Sequence, residues 1–540
     1  LFGKRFLQPF ILGGVMLVVL MDVSANAACT PNIENTGTLN GTLSSTADGD
    51  CVSNSGTISI TTTGIAGNSA IQSSNNNVSV SNSGNIIIFG DAQSNEAVSL
   101  FGSGHSFTNS GNINVFNSLT FNGVNGGDGD AVAVSLSTNG EDITSVINSG
   151  TITTYTAAQY TESWARGISL DTALWNGTVF AFGAVSLLQN DGSITSTSDY
   201  GLAQGISVGG DISSIINNGI ITSTTDSGRA YSVGTGYRIN TFINNGSIFS
   251  VSNTGSSYGI GVDWDGDPGF IYSGSIGTVQ NNGIISTTSV SGAAGGIYVC
   301  EICSITSLVN NGAISASGNG SITIDMADGV NTFTGSGGSG IFNAGTIGSI
   351  LNNSGGTIVG SSTSSVGVGI TNIGTITTIE NVGAITGTSY SINNIDGIID
   401  TLINHQGGNS SSAATTALTY SGNLPSTYNM FITSKTHYGQ LALTNPVGTM
   451  AFDVASGSNL QRSTYRNVLT GITSSSISGF SGTLNGISWK LVEYDPTNHY
   501  WNLVAGPSSD NTLIALRMNS TLVRNVLNSR RSEITNTCLL

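Results

Sequence analysis

Residues 215–221 read IINNGII, an asparagine pair and a glycine inside an otherwise aliphatic run. A buried amide without partners is costly, so one such stretch alone would argue against a buried strand. The stretch is repeated, however. The frame apolar-x-Asn-x-Gly-x-Ile begins at Ile33, Val52, Val80, Phe107, Val146, Leu188, Ile215, Phe242, Val279, Leu308, Ile341, Leu351, Ile370 and Ile379. Leu39 ends the first copy, and the copy at Leu351 carries an additional glycine before Ile358.

Alternate residues of a strand share a face, so the apolar residue, the asparagine, the glycine and the isoleucine all fall in the inward phase. Stacked coil on coil, the asparagines are expected to pass amide hydrogen bonds along a ladder. The expected rungs are Asn54, Asn82, Asn109, Asn148, Asn190, Asn217, Asn244, Asn281, Asn310, Asn343, Asn353, Asn372 and Asn381. Glycine is expected at a corner of each coil because it reaches positive φ. Successive motif glycines, such as Gly192, Gly219, Gly246, Gly283 and Gly312, lie mostly 27 to 42 residues apart. That spacing fits one solenoid coil per repeat.

A second signature precedes the asparagine strand in many coils: GISL at Gly167, GISV at Gly205, GIGV at Gly259 and GIYV at Gly296. Several short strands per coil, stacked as parallel sheets, make the expected fold an all-β, right-handed parallel β-helix. About 14 coils at ~4.8 Å each would reach ~65 Å.

Composition agrees with an array. Only 8% of the 540 residues are charged, 74 are Gly, and the formal net charge is −17. Between Ala28 and Tyr420 there is no Lys, and the only Arg residues are Arg166, Arg229 and Arg238, so nucleic acid is excluded as a partner class.

Residues 1–27 read as a secretory signal peptide: Lys4 and Arg5, the apolar run FILGGVMLVVL, then SANAA with cleavage expected between Ala27 and Ala28. Export favours disulfides. Cys29 with Cys51 and Cys300 with Cys303 are the expected pairs, with Cys538 left over.

From Thr419 the texture changes to TYSGNLPSTYNMFITSKTHYGQLALTNPVGTMAFDV, followed by SWKLVEY and HYWNLVA. The export signal, the repeats and this tail together resemble the classical type V autotransporters with a β-helical passenger. The resemblance divides the chain into a passenger over 28–405, a linker at 406–425, an autochaperone-like β cap at 426–506 and a helical linker at 507–540. Trp489, Leu491, Trp501 and Leu503 are expected to close the solenoid end, which would otherwise expose strand edges. Within NTLIALRMNSTLVRNVLNSRRSEI, Leu516, Val523, Val526, Leu527 and Ile534 suit an amphipathic terminal helix. The resemblance implies export and outer-membrane assembly machinery as partners, display on a Gram-negative cell surface or release outside it, and a monomeric passenger. A translocator barrel is expected beyond the sequence given.

For chemistry the sequence offers little. His105 and His405 are isolated and expected in loops, TDSG at Thr225 lacks a histidine partner, and no catalytic or cofactor-binding residue is assigned. Asp263, Asp265 and Asp267 form a weak Ca²⁺ candidate, whereas GGDGDA at Gly126 lacks the tandem copies of calcium repeats. The insertions before each asparagine strand leave the coil at equivalent points. They are expected to bring Trp175, Phe180, Phe182, Trp264, Phe270 and Tyr272 to one edge, suited to a host or environmental surface glycan or protein. The expected function is thus adhesin-like presentation of loops. The alternatives are a polysaccharide-active β-helix lyase or hydrolase, with acids converging on an arginine, and a two-partner secreted exoprotein.

Overall fold

The computed structural model describes residues 8–12, 15–19, 30–62, 68–92, 94–118, 129–138, 142–157, 163–171, 173–175, 180–263, 273–326, 329–333, 337–408, 416–506, 524 and 528. The predicted cleavage residues Ala27 and Ala28 lie outside them; within the expected leader, Gln8–Leu12 pairs antiparallel with Val15–Val19. The terminal helix falls almost wholly outside as well.

One coil shows the plan. Asp211–Asn217 runs in a first sheet, Ile220–Thr225 in a second and Ala230–Thr235 in a third, and Arg238–Asn244 returns to the first, in parallel register with Asp211–Asn217. Among the described residues, repetition builds three stacked sheets: an asparagine sheet of 16 strands, an isoleucine sheet of 12 and a glycine sheet of 18. The molecule is a parallel β-helix. Fifteen steps across the 16-stranded sheet span roughly 70 Å at ~4.8 Å per step. One apolar cluster runs from Val52 through Ile221 to Ala505, so the core is a continuous column between the sheets.

The motif straddles a corner. In the opening stretch, Asn217 ends one strand, Asn218 and Gly219 turn, and Ile220 starts the next. Asn217 and Ile221 are fully buried while Asn218 is exposed, so the inward phase continues across the turn. The turn's N–H groups bond to the coil before it: those of Asn218 and Gly219 donate to the Asn190 carbonyl at 2.7 and 2.9 Å.

The corner glycine is required for closeness, not for positive φ. No motif glycine from Gly56 to Gly312 has positive φ. A Cβ built on Gly219 would instead lie 1.9 Å from the Gly192 carbonyl oxygen, and the other glycines of this column show the same approach. The glycines of the Gly-Ile-x-Val strands answer to a different neighbour. A Cβ on Gly205 would meet Ile221 Cγ2 at 2.3 Å, and one on Gly259 would meet Ile285 Cγ2 at 2.4 Å.

The buried ladder forms. Nδ2 of each asparagine donates to Oδ1 of the next through Asn35, Asn54, Asn82, Asn109, Asn148, Asn190, Asn217, Asn244, Asn281, Asn310, Asn352 and Asn381, at 2.7–2.8 Å. Asn404 ends the column at 3.4 Å. Two corrections follow. Asn353 is not a rung: it stands in the outward position, because Asn352 aligns with Asn310 and Ser354-Gly355 are inserted at the turn, with Gly355 at φ +87°. Asn343 and Asn372 belong to a second ladder, at the corner between the glycine and asparagine sheets. There Asn343 donates to Asn372 at 2.8 Å and Asn372 to Asn394 at 2.7 Å. The same sequence frame thus serves two corners, and the copies do not count coils.

The expected linker also needs correction. Within 406–425, Leu418–Asn423 continues the glycine sheet beside Tyr390–Asn394. Gln406 is buried and completes the last strand of the isoleucine sheet, accepting from Ile385 N at 2.8 Å and donating to Ile385 O at 3.2 Å. A side-chain amide there substitutes for the next coil's backbone.

The cap extends the solenoid. Thr427–Met430 and Met450–Val454 remain parallel in the asparagine sheet, whereas Tyr500–Ala505, Ile487–Asp495 and Ser481–Leu484 finish the glycine sheet antiparallel. Trp489, Leu491, Trp501 and Leu503 are all buried, and Trp501 Nε1 donates to the Ile472 carbonyl at 2.9 Å.

Candidate functional site

Insertions leave the coil at the two corners that flank the glycine sheet. At its exit toward the asparagine sheet, Ala173–Trp175 and Phe180–Phe182 form an antiparallel hairpin in which Trp175 stands opposite Phe180 and Ala173 opposite Phe182. The segment 264–272 departs from the same corner, between Ser257–Val262 and Ser275–Asn281. Of the predicted edge residues, Trp175, Phe180 and Phe182 therefore share one excursion, while Trp264, Phe270 and Tyr272 lie outside the described residues. A second edge was not foreseen. At the entry from the isoleucine sheet, Ile322–Met326 pairs with Gly329–Phe333 in another hairpin, and 119–128 and 158–162 are inserted at the equivalent point.

Between these edges, outward positions of the glycine sheet carry an aromatic stack. Tyr231, Tyr258, Tyr298 and Phe342 follow one another at ring-centroid distances of 5.1, 4.8 and 5.9 Å. Two of the rings find room against a glycine of the next coil: a Cβ on Gly261 would lie 2.4 Å from the Tyr231 ring, and one on Gly295 3.0 Å from that of Tyr258. All four rings are nearly or fully buried although they do not face the core.

The Tyr231 hydroxyl donates to Asp263 Oδ2 at 2.8 Å. Burial, then the Asp263 charge, pushes the Tyr231 hydroxyl pKa well above its usual value, with Arg229 acting in the opposite sense. Burial lifts Tyr258 to about 12, opposed by a hydrogen bond with Ser256 and by Arg229. Asp263 is thus engaged by a tyrosine; Asp265 and Asp267 lie outside the described residues. The stack escaped sequence reading because Tyr231 and Tyr258 precede the Gly-Ile-x-Val frame while Tyr298 fills its variable position, so no single motif position carries the rings. In register, AYSVGT, SYGIGV and AGGIYV put Tyr231 and Tyr258 in one column and Tyr298 three positions further along.

Both histidines fall in connections between strands, as expected, but neither side chain is exposed. His105 is fully buried, and burial lowers its imidazole pKa, partly offset by the carbonyls of Phe101 and Val78. His405 stacks on Phe431 at 3.8 Å between centroids, with Nε2 3.6 Å from Glu380 Oε1. Glu380 and Phe431 border a cleft of about 490 Å³ at the seam with the cap, which Asp453 also lines. Glu380 has its carboxyl pKa lowered, first by His405.

The arginines are dispersed. Arg238 pairs with Asp211 at 2.8 Å on the exposed asparagine sheet, and Arg166 lies 3.6 Å over the Trp164 ring. Among the described residues, no three His, Cys, Asp or Glu side chains come together as a cation site.

The Cys300–Cys303 disulfide is present, closing the turn from Ala294–Val299 to Ser304–Asn310. Cys51 is disulfide-bonded, and Cys29 lies outside the described residues.

No family model, no curated protein and no solved structure matches this chain.

Proposed function

We propose that this chain is the exported passenger of a type V autotransporter, an adhesin-like protein whose solenoid carries binding loops away from the cell. The observation that carries the reading is the division of labour among corners. Among the twelve asparagine-to-isoleucine corners of the described residues, Asn352–Thr357 alone adds residues to the two-residue turn, while long insertions gather at both flanks of the glycine sheet. Loops on a rigid scaffold are the usual place for recognition. The buried tyrosine stack lies between the two edges and stiffens the sheet from which they leave. The export signal and the cap add the type V route, and a host or environmental glycan or protein is the proposed ligand.

The experiment is to produce the complete reading frame in Gram-negative cells and treat intact cells with protease. Cleavage of this chain at the surface, or its recovery outside, is expected. Protection inside an intact inner membrane would overturn the reading.

A further inference from the structure

The outer face of the isoleucine sheet carries a second, exposed aromatic column. Phe89, Phe116 and Tyr155 occupy the same register position in three successive coils, through the pairings of Phe89 with Phe116 and Phe116 with Tyr155. Their ring centroids are 6.3 and 5.9 Å apart. Phe89 is 54% exposed and Phe116 36%, unlike the tyrosine stack of the glycine sheet. Tilted to one another by 45° and 51°, these rings offer repeated apolar surface along the sheet.

Carboxylates bracket the column. Two residues past Phe89, beyond the inward Gly90, stands the exposed Asp91. At the other end the same position holds Asp199 and Asp226 in successive coils. Tyr155 donates its hydroxyl to Asp199 Oδ2 at 2.9 Å, tying the last ring to this acidic group. Hydrogen-bonding side chains fill the rest of the face. Asn112 donates to Asn85 Oδ1 at 3.0 Å, and Asn114 and Thr153 occupy the next outward positions along the strands. An aromatic face beside a carboxylate attracts a cation, by the ring quadrupole and by charge.

The backbone decides between a polypeptide and a carbohydrate. Asn85–Gly90, Asn112–Asn117 and Thr151–Thr156 are each paired with a strand on either side, so this face has no free ladder to receive an added strand. Recognition is left to ring faces and side chains. A sugar ring has an apolar C–H face to stack, hydroxyls for Asn and Thr, and, in an amino sugar, an ammonium for the carboxylates.

We propose that Phe89, Phe116 and Tyr155, with Asp91, Asp199 and Asp226, form a binding strip for a polymer of unacetylated amino sugars. This goes beyond the loop-presentation reading and concerns a different face, so the two fail separately.

The test is calorimetric titration of the full chain with a β-linked glucosamine hexamer, its fully N-acetylated counterpart and a lysine-rich peptide of equal charge. The glucosamine hexamer is expected to bind with an affinity that falls as salt rises, and the acetylated hexamer about tenfold more weakly or worse. Phe89→Ser and Asp226→Asn, both at exposed positions, are each expected to weaken binding about fivefold with unchanged circular dichroism. The proposal is overturned if the glucosamine hexamer does not bind. It is equally overturned by equal binding of the acetylated hexamer, by equal binding of the peptide, or by unchanged affinity in the Phe89→Ser protein.

Discussion

Asn217 and Asn218 are neighbours in the chain, and each belongs to a ladder. The buried one continues to Asn244 and the exposed one to Asn245, both at 2.8 Å. The exposed ladder runs through Asn218, Asn245, Asn282, Asn311 and Asn353, with Asn218 donating in turn to Asp191 at 2.7 Å. The same residue type, corner and bond length therefore occur in water and out of it. What differs is the alternative each amide has when its partner is lost. An exposed amide turns to solvent; a buried one is left unpaired, at roughly 1–3 kcal/mol for each stranded group. Hydrogen-bond distance alone thus says little about what a ladder contributes.

The comparison can be broken most severely at the corner that both ladders share. Gly219→Val drives a side chain into the Gly192 carbonyl and should abolish the folded protein, measured as loss of β-sheet circular dichroism and of protease resistance. Gly37→Val is its control: the same motif position in the first copy has nothing within 4 Å, and near-normal stability is expected. A next step separates the ladders. Asn217→Ala removes the acceptor of Asn190 and the donor to Asn244, and should destabilise by about 2–5 kcal/mol in urea unfolding.

Tyrosines extend the contrast to pH. Tyr258, raised to about 12 in the folded state from an ordinary value of 10.0, favours folding while its hydroxyl stays protonated. Its contribution is complete below pH 10 and is lost as pH rises through about 12, because the unfolded chain releases that proton first. A spectrophotometric phenolate titration should show Tyr231 and Tyr258 ionising only above pH 10, with alkaline unfolding over that window. The smallest effect belongs to the outer ladder. Asn218→Ala should shift stability by no more than about 0.5 kcal/mol, and a loss as large as that for Asn217→Ala would show that exposure is not the deciding variable.

Much of the scaffold was legible because burial writes a period into sequence. The inward asparagine, the parallel stacking and the buried tryptophans of the cap all follow from alternation and from the need to close a solenoid end. Alternation fails where the chain adds residues or reuses a motif. At Leu351-Asn352-Asn353 two asparagines compete for one inward position, and only the strand register with Asn310 selects Asn352. Asn343 and Asn372 carry the right frame at a different corner, which no local pattern distinguishes. The candidate sites were less legible still. Outward positions bear no periodic constraint: register pairs Tyr231 with Tyr258 but sets Tyr298 opposite Gly261, so the three rings become a group only through their contacts. The expectation of an edge at Trp175, Phe180 and Phe182 rested on comparing insertions across coils, not on any motif, and these three share one hairpin.

The buried asparagine column also has a polarity. Its direction is set by the backbone, since Nδ2 of Asn217 reaches toward the carbonyls of Gly219 and Ser247 as well as toward Asn244. Every carboxamide dipole therefore points the same way along the solenoid and, as in a helix, aligned dipoles add. The outer column runs in the opposite sense, from Asn353 toward Asn218, and its donor end meets the carboxylate of Asp191. Two counter-running lines of dipoles, the outer one terminated by an anion at its positive end, partly offset each other over the coils from Asn218 to Asn353, and the buried column continues beyond them at both ends.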